Sequence, residues 1–363
     1  MQLLDTTEPP GPNGTPRARP RFGDEGPGVA GCVRWPVLIL SSALTQSLLD
    51  PDALRNAVAS AMAELSAGRA SMPPRIAAYV KERGGLVAAM PAYLPATGIV
   101  AAKLVSLYPG NAGTAWPTHQ AIVIVFDAAN GQPVALLDGT AITTARTAAG
   151  SALATDLLGR LDATVLAIVG TGVQARAHAH AVVRVRPFRE LRIAGRDPGR
   201  VAALAAELRG VLDIEIVVVA SAAAACAGAD VVCLTTGSAE PVIRRADLAP
   251  GTHVNSVGFE SAGREIDSAT VADALVVVES RASVLAPPPA GSNDLRVPID
   301  EGLLDPGDLV EIGELVDGTA AGRTSAEQLT LYKSVGVAVQ DAAAAALVLA
   351  GARKAGLGLE FDI

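Results

Sequence analysis

At 363 residues the chain exceeds the size at which a single hydrophobic core usually stops growing, so two domains, or one large domain with a tail, are expected. Half of the residues are hydrophobic but only 3% are aromatic, a composition that suits helices laid closely on a Val-rich sheet. The net charge of −8, with Lys and Arg scattered rather than striped, argues against a nucleic-acid partner, and no apolar run reaches the roughly 18–20 residues of a bilayer span.

Residues 1–35 are crowded with Pro, Gly and Arg and read as a disordered extension, or as a product of a start codon placed too far upstream. They contain no secretory h-region, and Cys32, Cys226 and Cys233 have neither zinc-site spacing nor disulfide density, so a cytoplasmic protein without a metal is expected. The first credible strand is Val37 to Leu40, followed by an amphipathic helix from Pro51 to Ser66 capped by Asp50. Strands are expected at Ile99 to Ser106, Ala121 to Phe126 and Pro133 to Leu137, with a hairpin-type turn at Asn130-Gly131.

From Thr143 an Ala-rich helix leads to the apolar run Ala163 to Val169. Strands and helices then alternate through Leu191 to Ala194, Ile214 to Val219, Val231 to Thr235, His253 to Val257 and Leu275 to Val278. Such alternation builds a parallel sheet covered by helices on both faces. After about Leu309 the β pattern stops, and Ser325 to Ala355 reads as one or two helices that return to the first domain.

The strand ending at Val169 runs into Gly170-Thr171-Gly172-Val173-Gln174-Ala175, a G-x-G-x-x-A turn that opens a helix, and the next strand arrives about 20 residues later. In a βαβ unit this turn binds a dinucleotide: Gly170 permits the tight turn, Gly172 lets the backbone approach the pyrophosphate, and Ala175 lets helix and strand pack closely. The second strand ends in Gly195-Arg196-Asp197, where an NAD site would carry an acid for the ribose hydroxyl. Arg196 can pair with a 2′-phosphate, which favours NADP, while Asp197 leaves NAD open.

Several further motifs stand in order along the chain: Pro73-Pro74-Arg75; Ala102-Lys103-Leu104-Val105 with Pro109-Gly110-Asn111; the run from Ala141 to Ala149; and Leu331 to Gly336 with Gln340-Asp341. Together with the glycine turn they make residues 37–363 resemble the ornithine cyclodeaminase and mu-crystallin family. The resemblance implies an α/β protein with a Rossmann domain at about 151–314. It also implies a discontinuous α+β substrate-binding and dimerisation domain from about 37–150 and 315–363, and a homodimer. It implies that Arg75 and Arg146 hold a substrate carboxylate and that Lys103 lies beside the amine or imine carbon. Thr143, Arg146 and Thr147 would approach the cofactor phosphates, Thr235 and Thr236 the nicotinamide ribose, and Ser334, Val335 and Gly336 the nicotinamide.

The chemistry agrees with those roles, since a guanidinium meets a carboxylate bidentately and an ammonium can donate a proton or polarise an imine. His119, His178, His180 and His253 are discounted as catalytic groups. One departure concerns the reaction itself: where the family's cyclodeaminases carry an Asp base for the distal amine, this chain has Glu260, one methylene longer. The expected activity is therefore NAD(P)-dependent reduction of a small cyclic imino acid, or of an oxo acid plus ammonia as in an amino-acid dehydrogenase. An ornithine cyclodeaminase, with Glu260 as catalytic base and ammonia as product, and a non-catalytic small-molecule binder are the alternatives.

Overall fold

The computed structural model describes residues 35–258, 263–287 and 290–362. Glu260 and residues 1–34 of the expected extension lie outside the described residues. Six strands come first: β1 (Pro36–Leu40), β2 (Ile76–Val80), β3 (Gly85–Leu94), β4 (Ile99–Leu107), β5 (His119–Asp127) and β6 (Pro133–Asp138). Eight follow: β7 (Val165–Val169), β8 (Glu190–Ala194), β9 (Glu215–Val218), β10 (Val231–Leu234), β11 (His253–Ser256), β12 (Ala274–Val278), β13 (Val310–Glu311) and β14 (Leu329–Lys333). A last strand, β15 (Leu359–Asp362), closes the chain.

Two sheets result. The first has the order β15-β1-β6-β5-β4-β3-β2 and is antiparallel except between β1 and β6. Its inner residues, among them Met90, Val123 and Leu137, are packed beneath the helices Pro51–Ser66 and Ala338–Ala355. The second sheet, β13-β12-β14-β11-β10-β7-β8-β9, is parallel throughout. Successive residues of β7 and β10 enter two different cores: Leu166, Ile168 and Val231 on one face, Ala167, Val169 and Val232 on the other. That explains the continuous apolar runs, because a strand covered on both sides has no polar face to alternate with.

The expected all-helical stretch from Ser325 to Ala355 is corrected by β14, which lies in the middle of the parallel sheet between β11 and β12. Its five residues are all buried, and a short buried run cannot be assigned to strand or helix by periodicity alone. The segment 315–363 therefore gives one strand to the parallel sheet before the helix Ala338–Ala355 and β15 join the other. Strands β2 and β3, not expected from the sequence, lie at the antiparallel edge; β3 is Ala-rich and carries Pro91, both unfavourable to strand assignment.

The helix Gly139–Leu158, capped by Asp138, joins the sheets and is buried along most of its length. Ile142, Ala149 and Leu153 pack in the first core, while Ser151 meets the helix Val173–Val182 and Thr155 meets β11 through polar contacts. Ser151 donates to His178 Nε2, 2.9 Å away, and His178 Nδ1 donates to the Gln174 carbonyl at 2.8 Å. Asn255 donates to Thr155 Oγ1 at 2.9 Å and accepts from His253 Nε2. Burial pushes His178 down to about 4 and His253 to about 3, so both rings stay neutral as structural hydrogen-bonding groups. No helix of the described residues is long and apolar enough to cross a membrane, and no cluster of three or more His, Cys, Asp or Glu among them is placed to hold a metal.

Candidate active site

Strand β7 ends in the glycine turn. Gly170 has φ 126°, and a Cβ there would lie 2.4 Å from Thr235 Oγ1, so the close approach of β7 to the end of β10 requires glycine. Its N–H donates to the Ala194 carbonyl of β8 at 2.9 Å. The following helix, Val173–Val182, starts at Gly172 without a side-chain cap, and the space above Gly172 is open. Uncapped N–H groups at a helix start attract an anion. Gln174 Oε1 is buried without a hydrogen-bond partner, which a bound ligand would supply. Arg196, exposed at the end of β8, adjoins this turn through Gly195, whose Cα faces the Thr171 methyl. These features fit a dinucleotide with its pyrophosphate at the turn and its adenosine ribose toward Arg196.

Beside the turn, a cavity of about 330 Å³ opens between the two sheets. Its wall from the first sheet carries Met90, Lys103, Val105, Leu107 and His119. The helix Gly139–Leu158 contributes Thr143, Arg146 and Thr147, and Arg75 enters from the segment before β2. The strand ends of the parallel sheet supply Gln174, Thr235 to Gly237, Val257 and Gly258, and Ser334 to Gly336. The structure thus brings together Arg75, Lys103, Thr143, Arg146, Thr147, Gln174, Thr235, Thr236, Ser334, Val335 and Gly336 around one space. Gly170, Thr171, Gly172 and Val173 form the adjoining turn, and Arg196 lies outside the cavity.

Charge in this space is arranged around Asp341. Lys103 Nζ lies 2.6 Å from Asp341 Oδ2, and Arg146 Nε donates to Oδ1 at 3.1 Å. Burial alone would raise Asp341, but the two cations outweigh it and hold the carboxyl below its ordinary range. Lys103 is also lowered, but here burial wins: together with Arg146 and Arg75 it overcomes the help of Asp341 and brings the ammonium from 10.5 to about 8. Arg146 also donates to Gln340 Oε1 at 3.2 Å. Arg75 donates to the carbonyls of Gly336 at 2.7 Å and Val335 at 3.3 Å, while the same loop's N–H groups donate to buried Glu279, from Val335 at 2.8 Å and Gly336 at 2.7 Å. The loop is therefore held from both sides. The cavity is lined by Arg75, Lys103 and Arg146, with the carboxylates of Asp341 and Glu279 behind its wall, which leaves its surface suited to a small carboxylate ligand.

His119, discounted from the sequence, stands on the cavity wall. It pairs with Leu107 in a register that also sets Lys103 opposite Val123, so His119, Ala121 and Val123 alternate onto the inner face. Period-two phase in β5 was the available signal. Burial, with Lys103 and Arg146 nearby, lowers its imidazole and keeps it neutral at pH 7. Asp341 stood in the Gln340-Asp341 motif without a role, and Glu279 has no local signature, since the partners of both lie far along the chain.

A parallel sheet with a glycine turn at the end of β7, beside a cavity lined by Arg75, Lys103 and Arg146, places the chain among α/β proteins with a Rossmann-like nucleotide-binding domain and a second domain. The likeness goes further: the model of the ornithine cyclodeaminase/mu-crystallin family matches residues 37–355, and the chain belongs to that family. Mouse ketimine reductase mu-crystallin is 36% identical over 283 residues, covering 77% of this chain and 85% of its own. The solved Δ1-pyrroline-2-carboxylate reductase of Thermococcus litoralis, in complex with NADH and L-proline, is 36% identical with a TM-score of 0.85, covering 89% of this chain and 99% of its own. An archaeal alanine dehydrogenase dimer with bound NAD is 29% identical with a TM-score of 0.83, covering 90% of this chain and 99% of its own.

Proposed function

We propose that this chain is an NAD(P)-dependent imine reductase whose substrate is a small cyclic imino acid of the pyrroline- or piperideine-2-carboxylate type and whose preferred cofactor is NADPH. The observation that carries this reading is the single cavity in which Arg75, Lys103 and Arg146 converge beside the glycine turn. A nicotinamide held beside the glycine turn would supply hydride to the carbon of the C=N bond. Arg75 and Arg146 bind and orient the carboxylate, and Lys103 holds a proton for the imine nitrogen. With Lys103 near 8, that proton is present at neutral pH yet readily transferred. Met90, Val105 and Leu107 give the remaining wall an apolar surface that suits a hydrocarbon ring.

The outer face of the first sheet supports a homodimer. Leu104 pairs across with Ile122, and Ala102 with Ile124, on the side away from the helices. Ile122 and Val87 are each 44% exposed there, a contiguous apolar sheet face that a second copy would cover. The dimeric state of the alanine dehydrogenase neighbour accords with this. Free, buried Cys226 and Cys233 suit a cytoplasmic protein.

Purified protein given NADPH and Δ1-pyrroline- or Δ1-piperideine-2-carboxylate should consume the cofactor one for one with the L-amino acid formed. Release of ammonia from ornithine with no net change in NAD would instead identify a cyclodeaminase. For cofactor choice, Arg196→Asp should weaken NADPH by about 10- to 150-fold, the equivalent of losing a charge-assisted pair, and NADH far less. Equal loss for both cofactors would return Arg196 to the status of a solvated charge.

A further inference from the structure

Thr236, Gly258, Ser334 and Val335 line the active cavity on one side and, on the other, a second space of about 20 Å³. Around that space lie three buried ionisable side chains that the proposed chemistry does not use: Glu265, Asp294 and Lys333. Lys333 has three N–H groups and three partners: Asp294 Oδ2 at 2.7 Å, Ser256 Oγ at 3.0 Å and the Gly258 carbonyl at 3.1 Å. Ser256, accepting from Lys333, donates its own proton to Glu265 Oε2 at 2.9 Å, and the Gly258 N–H donates to the same oxygen at 2.8 Å. The other oxygen, Glu265 Oε1, accepts from the Thr236 N–H at 2.7 Å and from the Thr236 hydroxyl at 2.6 Å. Asp294 Oδ1 fixes the backbone of this carboxylate by accepting from the N–H groups of Glu265 and Ile266. A Cβ on Gly258 would lie 2.1 Å from the Thr236 carbonyl and 2.2 Å from the Glu265 carboxyl carbon, so nothing larger than glycine fits against the network.

The consequence concerns the direction of hydrogen bonds on the cavity side. A hydroxyl has one proton and two lone pairs. Thr236 has committed its proton to Glu265, Thr235 donates to the Val169 carbonyl at 3.0 Å, and Ser334 donates to Glu279 Oε1 at 2.9 Å. Burial raises the Glu265 carboxyl, while Lys333 and the N–H and O–H donors of Thr236 oppose that rise, and backbone N–H groups of Thr236 and Gly258, one to each oxygen, fit the charged carboxylate as acceptor. All three hydroxyls on this wall therefore present only lone pairs to a ligand.

We infer that Glu265, with Glu279 and the Val169 carbonyl, polarises the hydroxyls of Thr236, Ser334 and Thr235 into an acceptor-only wall that recognises donors of the nicotinamide riboside half of the cofactor, its carboxamide N–H or its ribose O–H groups. Glu265 is on this account a positioning residue that sets cofactor specificity through Thr236. The inference rests on the proposed use of a nicotinamide cofactor, but it concerns binding and not turnover.

The test is a fluorescence titration of the unliganded protein with three reduced ligands: NADPH, its 3-acetylpyridine analogue, whose methyl ketone lacks the carboxamide donors, and its analogue deoxygenated at the 3′ position of the nicotinamide ribose. The wild-type protein should bind at least one analogue tenfold or more weaker than NADPH. In Glu265→Gln the new amide offers N–H toward Thr236 Oγ1 and frees the hydroxyl proton to turn into the cavity, so that preference should fall below threefold. Thr236→Val and Thr235→Val, which keep side-chain shape and remove the acceptors, should lower the preference even if Glu265→Gln does not fold. A wild-type preference below threefold for both analogues overturns the inference, as does a preference retained in the valine variants, or no binding of NADPH at all. Tight, donor-dependent binding without imine turnover would leave the acceptor wall standing and remove the reductase reading instead.

Discussion

Lys103 and Lys333 are both almost fully buried and both lie within 2.7 Å of an aspartate, yet they are built for opposite ends. All three donors of Lys333 are spent on groups of the protein. Among the described residues Lys103 shares Asp341 with Arg146 and has, besides that pair, only a 3.5 Å contact with Thr143, so it keeps donor capacity toward the cavity it lines. The difference teaches that burial and a carboxylate partner do not identify a working lysine; the number of donors left over does. A saturated ammonium holds structure, and an unsaturated one is available to a ligand.

The largest effect expected from breaking this contrast is on stability. Lys333→Met leaves Asp294 without its buried cation beside Glu265 and should cost about 3–5 kcal/mol, read as a lower midpoint of chemical denaturation. Adding Asp294→Asn should recover part of that loss, because the two residues form one network; strict additivity would mean that Lys333 acts through packing alone. Lys103→Met should act instead on turnover, lowering kcat with the cyclic imine by on the order of 10²- to 10⁴-fold. Its denaturation midpoint should move less than that of Lys333→Met, and the reverse ranking would contradict the assignment of roles. The smallest effect is on pH dependence. Since the donor is the protonated ammonium and burial lowers it to about 8, kcat should be steady below that pH and fall as pH rises through it. Lys103→Arg keeps its charge at those pH values, so whatever activity it retains should lack this limb.

Legibility from sequence followed the range of the interactions. Local devices were readable: the Gly170 turn, the Asp50 cap and the helix Pro51–Ser66, and the apolar runs of β7 and β10 each carry their cause within a few neighbouring residues. Strand β14 was not, because LTLYK owes its conformation to β11 and β12 on either side, which precede it by some distance in the chain. The same limit applied to the site. Arg75, Lys103 and Arg146 were found through motifs, whereas Glu265 and Glu279 act on Thr236 and on the 334–336 loop across long sequence separations that no motif spacing records. His119 was discounted along with the other histidines, although the inward phase of β5 carried its location.

The late insertion of β14 also bears on how the molecule can be made. The β12–β13 pair joins the rest of the parallel sheet only through β14, so while a ribosome is still translating the preceding segments, β11 and β12 each keep an unsatisfied edge and exposed apolar surface. Closure of the nucleotide-binding half must await a strand that follows both of its neighbours in the chain, which makes its completion a non-local, slow step with a window for wrong pairing. A transcript cut short just before Leu329 would yield two half-sheets that lack the strand between them, and such a product is fit for chaperones or proteases rather than for catalysis.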